Sequence, residues 1–258
     1  MRNSGFTAVP TSQIDVGCAG WTIPAALRPR FPNEGSHLAR YSAEFSCVEI
    51  NSSFYRPHQA KTYARWSAAV PSRFRFSVKV PRVWTHEKRL DVTAVDIRSF
   101  LDPVLELGTN LGPLLIQIPP SLRFHHEVAA RFLQTFRGEF SGLAALEPRH
   151  KSWRSHEAVA LLREFRISVV GADPDPTIPR KSWDLPPPTA WPELTYFRLH
   201  GSPEMYYSNY SHEALQQIAV ALREACGRGR SVWCIFDNTA AGAAQANALE
   251  LRERLQND

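Results

Sequence analysis

The sequence has little cysteine and no paired cysteine motif. Its four cysteines show no CxxC spacing and are too few for a disulfide framework: Cys18, Cys47, Cys226 and Cys234. This usage predicts reduced thiols in a cytoplasmic protein, with the cysteines packed in the core.

Lysine is also scarce, and basic runs are missing. The formal net charge is +5, and 25 arginines carry most of the positive charge against five lysines. Arginine suits phosphate binding, but a modest net charge without a basic cluster is weak support for a nucleic-acid-binding surface. Nucleic acid is therefore a possible but less favoured partner.

Several other signals are absent from the sequence. No segment reaches the ~20 consecutive apolar residues of a membrane span, and residues 1–13 lack the apolar stretch of a signal peptide. We therefore predict a soluble protein with no membrane partner and a flexible N-terminal tail over residues 1–13. The chain has no Walker A or GxGxxG motif, which argues against nucleotide-dependent transfer, and it has no HxH or HExxH metal motif. We predict no cofactor and assign no metal ligands.

Short apolar runs alternate with helical patterns along the rest of the chain. Eight runs have the composition of strands and fall at residues 14–20, 47–51, 74–80, 113–118, 143–147, 167–173, 195–200 and 232–238. Seven amphipathic patterns lie between or after them and begin near residues 36, 58, 92, 125, 155, 211 and 243. Ser211 is a predicted N-cap, and Gly227 a predicted stop.

This alternation predicts an α/β protein with a (β/α)8 TIM barrel over residues 14–258 as a single domain. A doubly wound open sheet is the alternative. The connection after the sixth strand carries seven prolines between Pro174 and Pro192. Because proline breaks helices, we predict an irregular segment there in place of the helix between strands six and seven.

Polar residues alternate with apolar ones near the ends of the predicted strands. In a barrel covered by helices, the apolar set faces outward and the polar set faces the interior. The set predicted to point inward comprises Glu49, Asn51, Ser77, Lys79, Gln117, Glu147, Arg198 and His200. Asp173 ends the sixth strand, and Asp237 and Asn238 end the eighth. These residues converge on the carboxyl-terminal mouth, where barrel enzymes have their active sites.

Multi-residue motifs occur in order from about Asp15 to Leu251: "GCAGW", "VEINSSFY", "FSVKVPRVWTHEKRL", "LGPLLIQIPPSLRF", "EPRHKSW", "YFRLHGSPEMYY" and "FDNTAAGAAQANALEL". Together they resemble the YecE-like family, the domain of unknown function 72. The resemblance implies a TIM-barrel fold. It implies no activity, because none is established for that family.

The polar set itself suggests a chemistry. Glu49 and Glu147 are candidate general acid and base, and His200 is a third candidate catalytic residue beside the turn glycine Gly201. Lys79, Arg149 and Arg198 could hold an anionic substrate. Further candidate binding residues are Asn51, Tyr55, His86, Gln117, Trp153, Tyr207, Asp237 and Asn238. His150, which also follows a strand directly, is a weaker candidate.

Aromatic residues recur beside the same strand ends and favour a ligand that contains a ring. They are Trp21, Phe54, Tyr55, Trp84, Trp153, Tyr206, Tyr207 and Tyr210. Such side chains stack on sugars and bases, although they also pack loops together. The predicted partner is a small anionic or sugar-like molecule.

The favoured function is general acid–base catalysis on a polar, anionic, ring-containing substrate such as a sugar, phosphosugar or nucleotide. The reaction class stays open between a hydrolase and an isomerase or lyase. Three alternatives remain. The mouth could bind nucleic acid or a phosphate ligand without turnover. It could hold a metal for phosphoester hydrolysis on Glu147, Asp173, His200 and Asp237. The charges could also simply neutralise one another as an ion-pair network.

Overall fold

Seven α-helices and ten strands make up the part of the chain that the computed structural model describes, residues 13–177, 189–227 and 231–257. The helices are α1 (His37–Glu44), α2 (Ala60–Ala68), α3 (Ala94–Val104), α4 (His126–Glu139), α5 (His156–Glu164), α6 (His212–Cys226) and α7 (Ala243–Asn257). Each coincides with a predicted helical pattern. The predicted tail lies outside the described residues except for Gln13. No helix in the described ranges is long and apolar enough to cross a bilayer.

Local capping and one apolar face explain why these segments are helical. The Ser211 hydroxyl accepts a hydrogen bond from Ala214 N at 3.2 Å, so the predicted N-cap is confirmed, and α6 ends just before Gly227. The face of α4 that contains Phe132, Leu133 and Phe136 is buried against the strands.

The ten strands form two parallel sheets with one antiparallel addition. They are β1 (Ile14–Cys18), β2 (Cys47–Ile50), β3 (Arg75–Lys79), β4 (Leu111–Gln117), β5 (Ala144–Glu147), β6 (Ser168–Val169), β7 (Gly171–Asp173), β8 (Thr189–Ala190), β9 (Leu194–Leu199) and β10 (Ser231–Phe236). One sheet has the order β1-β10-β9-β7, and the other has the order β2-β3-β4-β5-β6-β8. All eight predicted strands are present.

The predicted sixth strand is divided at Val170. Its first half, β6, pairs with β5, and its second half, β7, pairs with β9. The Val170 N–H still donates to Leu146 O at 2.9 Å, so the segment continues from one sheet into the other. A single apolar run in the sequence gave no sign of this change of partner.

The proline-rich connection contains a short strand that was not predicted. β8 pairs antiparallel with β6, and the Ser168 hydroxyl donates to Trp191 O at 2.8 Å and to Leu194 O at 2.7 Å. No helix occurs at residues 174–177 or 189–192. Residues 178–188 lie outside the described ranges, so the prediction of an irregular segment there stays a prediction.

The outer strands β1 and β2 of the two sheets also come together. Ala19 forms an isolated parallel bridge with Glu49, and Gly20 N donates to Glu49 O at 3.0 Å. A Cβ atom on Gly17 would lie 2.1 Å from Cys47 O. Glycine is therefore required for the close approach of these two strands.

The strands separate two apolar clusters. The larger contains the buried faces of the helices and the strand residues opposite them, including Val48, Val78 and Leu146. The smaller contains only strand and connecting residues, including Leu115, Tyr196 and Trp233. Residues adjacent in sequence thus fall into different clusters, as predicted from the period-two pattern. The fold is a mixed α/β domain built on parallel sheets.

Candidate functional site

A buried arginine gathers three carboxylates at the carboxyl-terminal ends of the strands. Arg198, on β9, is 0% exposed. Its Nε and Nη2 donate to the two oxygens of Glu49 at 3.0 and 2.8 Å, its Nη1 donates to Glu147 at 2.7 Å, and its Nη2 also donates to Asp237 at 2.9 Å. Residues from β2, β5, β9 and the end of β10 therefore meet at one guanidinium.

His200 lies between two of the same carboxylates. Its Nε2 lies 2.9 Å from Glu147 Oε1, and its Nδ1 lies 3.0 Å from Asp237 Oδ2. The predicted site residues Glu49, Glu147, Arg198, His200 and Asp237 form one connected cluster, which we call the Arg198 network. Arg198 was predicted to bind an anionic substrate, but protein carboxylates already occupy its guanidinium.

Two neutral residues complete the hydrogen bonding of Glu49. Tyr196 Oη donates to Glu49 Oε2 at 3.0 Å and lies 2.8 Å from the Ser77 hydroxyl. All three side chains are fully buried. Charge-assisted hydrogen bonds of this kind compensate for the cost of burying a carboxylate.

The network holds Glu147 and Asp237 in the charged form. Burial raises the pKa of Glu147, but Arg198, Arg149 and His200 outweigh burial and hold that pKa well below its usual range. The pKa of Asp237 is also lowered, because Arg198 and His200 outweigh its burial. Carboxylates with lowered pKa values are poor general acids near neutral pH. This electrostatic setting does not favour Glu147 as an acid.

Lys79 lies beside the network but forms no ion pair with its carboxylates. The residue is 5% exposed, and its Nζ lies 4.1 Å from the centre of the Phe54 ring. Within the described ranges, no carboxylate oxygen lies within ion-pair distance of this Nζ. Burial and, secondarily, Arg198 lower the pKa of Lys79 to about 8, although Glu49, Glu147 and Asp237 act in the opposite direction. A cation with spare hydrogen-bond donors therefore remains at this end of the strands.

Arg149 is a second cation with unused donors. Its Nη2 lies 2.6 Å from Glu147 Oε1 and 3.1 Å from His200 Nε2, while its buried Nε has no partner. The Oδ1 atom of Asn51 is likewise buried without a partner. Unsatisfied buried polar atoms are rare in folded proteins and are found at functional sites.

Other predicted site residues surround the network at varying exposure. His86 is half-buried, edge-on to the Phe54 ring, and its pKa is lowered by burial and by Arg82 and Lys79. Gln117 is half-buried in register with Glu147. Tyr55 and Tyr207 are 73% and 54% exposed, and Tyr206 packs edge-on against His200.

Two of the proposed binding residues, and two of the aromatics predicted beside them, have structural surroundings instead. Trp153 is buried, and its Nε1 donates to Leu122 O at 3.0 Å, so its ring is unavailable for stacking on a ligand. Asn238 donates to Ser208 O and Asn247 Oδ1, both at 2.9 Å, and ties down the loop after β9. Trp84 and Tyr210, two of the aromatics predicted at the rim, are also buried.

The profile of the family described as "Protein of unknown function DUF72" matches residues 15–258. The chain belongs to this family. The UPF0759 protein YunF of Bacillus subtilis is 24% identical, with 94% of each chain covered. The UPF0759 protein YecE of Escherichia coli K12 is 27% identical over 53% of this chain and 48% of its own length.

Solved structures of DUF72 proteins have the same fold. A crystal structure of EF0366 from Enterococcus faecalis gives a TM-score of 0.79 at 24% identity, covering 95% of this chain and 96% of the other. That of TM1631 from Thermotoga maritima gives 0.77 at 24% identity, covering 95% and 99%. The predicted membership in the YecE-like family is confirmed.

The arrangement of donors in this DUF72 chain does not suit a metal. No group of three or more histidine, cysteine or carboxylate side chains in the described ranges is arranged to hold an ion. The guanidinium of Arg198 lies among Glu49, Glu147 and Asp237, where a metal bound by those carboxylates would have to lie.

Sequence reasoning missed two features of the DUF72 site. Tyr196 shares the inward parity of Arg198 and was identifiable on that basis. The contact between Lys79 and the Phe54 ring joins a strand end to the short helix Ser52–Phe54, and no spacing rule links those two positions.

Proposed function

We propose that the chain is an enzyme that binds a small anionic ligand between Lys79 and Arg149 and acts on it with Lys79 as the proton-transferring group. The observation that carries this proposal is the contrast between three buried cations. Carboxylates surround Arg198, whereas Arg149 Nε is buried without a hydrogen-bond partner and Lys79 Nζ, over the Phe54 ring, has no ion pair among the residues that the structure describes. An anion bound there would satisfy donors that the protein leaves unpaired.

The Arg198 network serves in this proposal as a fixed platform. Its carboxylates are already occupied, so they are less suited to exchange protons than Lys79, whose pKa of about 8 is close to physiological pH. Exposed Tyr55 and Tyr207 on the same side support a ligand with a ring. The predicted roles of Glu49 and Glu147 thus shift from acid and base to electrostatic support.

We further infer that the parallel strands close into one (β/α)8 barrel with this site at its mouth. Three observations support closure: the continuous segment through Val170, the bridge between Ala19 and Glu49, and a separate apolar cluster without helix residues. In barrels, active sites lie at the carboxyl-terminal ends of the strands. The four free cysteines are compatible with the predicted cytoplasmic location.

Sulfate titration followed by thermal unfolding tests the anion site. At pH 7 we expect sulfate at ten times its Kd to raise the Tm of the native protein by about 3–6 °C. Lys79→Met should lose most of this increase. Because Lys79 loses its charge as the pH rises through about 8, the increase should also shrink at pH 9.5.

Lys61→Met is the matched control, because it removes the same charge from an exposed position on α2. Sulfate also stabilises proteins without binding a site, and this control measures that background. Equal sulfate responses of the native protein, the control and Lys79→Met would contradict the proposed function.

A further inference from the structure

We propose that Lys79 forms an imine with a ligand that carries both a carbonyl group and a phosphate or carboxylate. This inference rests on the anion site of the proposed function: Arg149 would hold the anionic group of the ligand, and Lys79 would act on the ligand as a nucleophile rather than only as a proton-transferring group. It adds a substrate class: phosphorylated aldehydes and ketones, or oxo acids.

The surroundings of Lys79 favour an amine that reacts. Lysines normally extend into water, but this one is 5% exposed and lies over the apolar face of Phe54 without a carboxylate partner. Burial without neutralisation favours the uncharged amine, and only the uncharged amine is a nucleophile. The pKa of about 8 leaves a substantial neutral fraction at pH 7.5, whereas an ordinary lysine is almost entirely charged.

The charges around Lys79 would stabilise the product of the reaction. The amine nitrogen attacks the carbonyl carbon and forms the C–N bond, while the carbonyl π electrons move to the oxygen. Proton transfer gives a carbinolamine, and its hydroxyl, protonated by solvent, leaves as water. The resulting iminium is a cation, and Glu49, Glu147 and Asp237 are close enough to favour positive charge on this nitrogen.

The phosphate or carboxylate group of the ligand would bind at Arg149. Arg149 Nε is buried without a partner among the described residues, and Arg149 Nη2 is shared between Glu147 and His200. Glu147 links the two cations, because it pairs with Arg149 and its charge also acts on Lys79. Guanidinium groups bind phosphate and carboxylate through paired donors. An anion held there would raise the local concentration of the carbonyl at Lys79.

Borohydride trapping tests the imine. The protein is incubated at pH 7.5 with D-glyceraldehyde 3-phosphate, reduced with sodium borohydride, digested and analysed by mass spectrometry. With only five lysines in the chain, each site can be quantified. We expect Lys79 to be modified at least about tenfold more than the exposed Lys61, because the lowered pKa of Lys79 increases its neutral, nucleophilic fraction. The phosphorylated probe should also exceed unphosphorylated D-glyceraldehyde at Lys79 but not at Lys61.

Modification of Lys79 no greater than that of Lys61, or an equal yield with both probes, would overturn the inference. Lys79→Arg separates this failure from failure of the proposed function. The variant keeps a cation but cannot form an imine, so it should retain the sulfate-dependent rise in Tm while losing the excess labelling. If the native protein responds to sulfate but shows no excess adduct, the anion site stands and the imine is rejected.

Discussion

Replacing Arg198 with methionine will destabilise the protein by about 3–5 kcal/mol at pH 7, measured by urea unfolding. The change removes the guanidinium that contacts Glu49, Glu147 and Asp237 and leaves three carboxylates in a buried site. A buried charge without its partner is far more costly than the pair is favourable. A single substitution in the network is therefore expected to remove a large part of the free energy of unfolding.

Arg30→Met provides the control for this loss. Arg30 pairs with Glu253 at the surface, with side-chain exposures of 52% and 53%, so its replacement should cost no more than about 1 kcal/mol. Adding Glu49→Gln to Arg198→Met should recover part of the lost stability, because it removes one unpaired charge. A loss in Arg198→Met similar to that in Arg30→Met would show that the carboxylates do not depend on Arg198.

Replacing Asp15 with asparagine will stabilise the protein by about 3 kcal/mol at pH 8 and leave its stability unchanged below pH 4. Asp15 lies on β1 and is 6% exposed. Burial raises its pKa from 3.8 to about 6, against the opposing effects of a hydrogen bond with Ser46 and of the Arg75 charge. Asparagine keeps the shape and removes the charge.

The direction follows from proton binding in the two states. Between pH 4 and 6 the folded state binds more protons than the unfolded state, so stability falls as the pH rises through this window. Above pH 6 the folded protein carries the full cost of the buried carboxylate, which asparagine avoids. Asp91→Asn, at an exposed position, should change stability by no more than about 0.5 kcal/mol at either pH. An Asp15→Asn effect of equal size at pH 4 and pH 8 would contradict the expected linkage.

The sequence was sufficient to locate the strands and the polar ends that meet, because period-two alternation is a local property. Glu49, Lys79, Glu147 and Arg198 share one parity, and Arg198 donates hydrogen bonds to both Glu49 and Glu147. Which carboxylates would occupy Arg198 could not be predicted, because lateral distances depend on strand tilt and register across the sheet. For this reason the sequence predicted Arg198 as a substrate-binding residue and Glu49 as a general acid or base.

The aromatic residues were harder to assign from sequence. A tryptophan after a strand can turn into the core or toward a ligand, and composition does not distinguish the two. Trp153 turns inward to the carbonyl of Leu122, while Tyr55 turns outward. The switch of partners at Val170 was equally hidden, because the run "ISVVGAD" contains no proline and no bulky polar residue at Val170 that would mark a break between two strands.

The Arg198 network also constrains the register of the strands during folding. It draws Glu49 from β2, Glu147 from β5 and Arg198 from β9, and it adds His200 and Asp237 from positions directly after β9 and β10; these elements are far apart in sequence. A shift of any one of these strands by a single residue would turn its charged side chain to the opposite face. That charge would then be buried in the larger apolar cluster without a partner. A misaligned intermediate therefore carries the free-energy cost of an unpaired buried charge. The stabilisation by the network is complete only when all four strands are aligned. The same five side chains that form the network therefore also report whether the strands have aligned correctly.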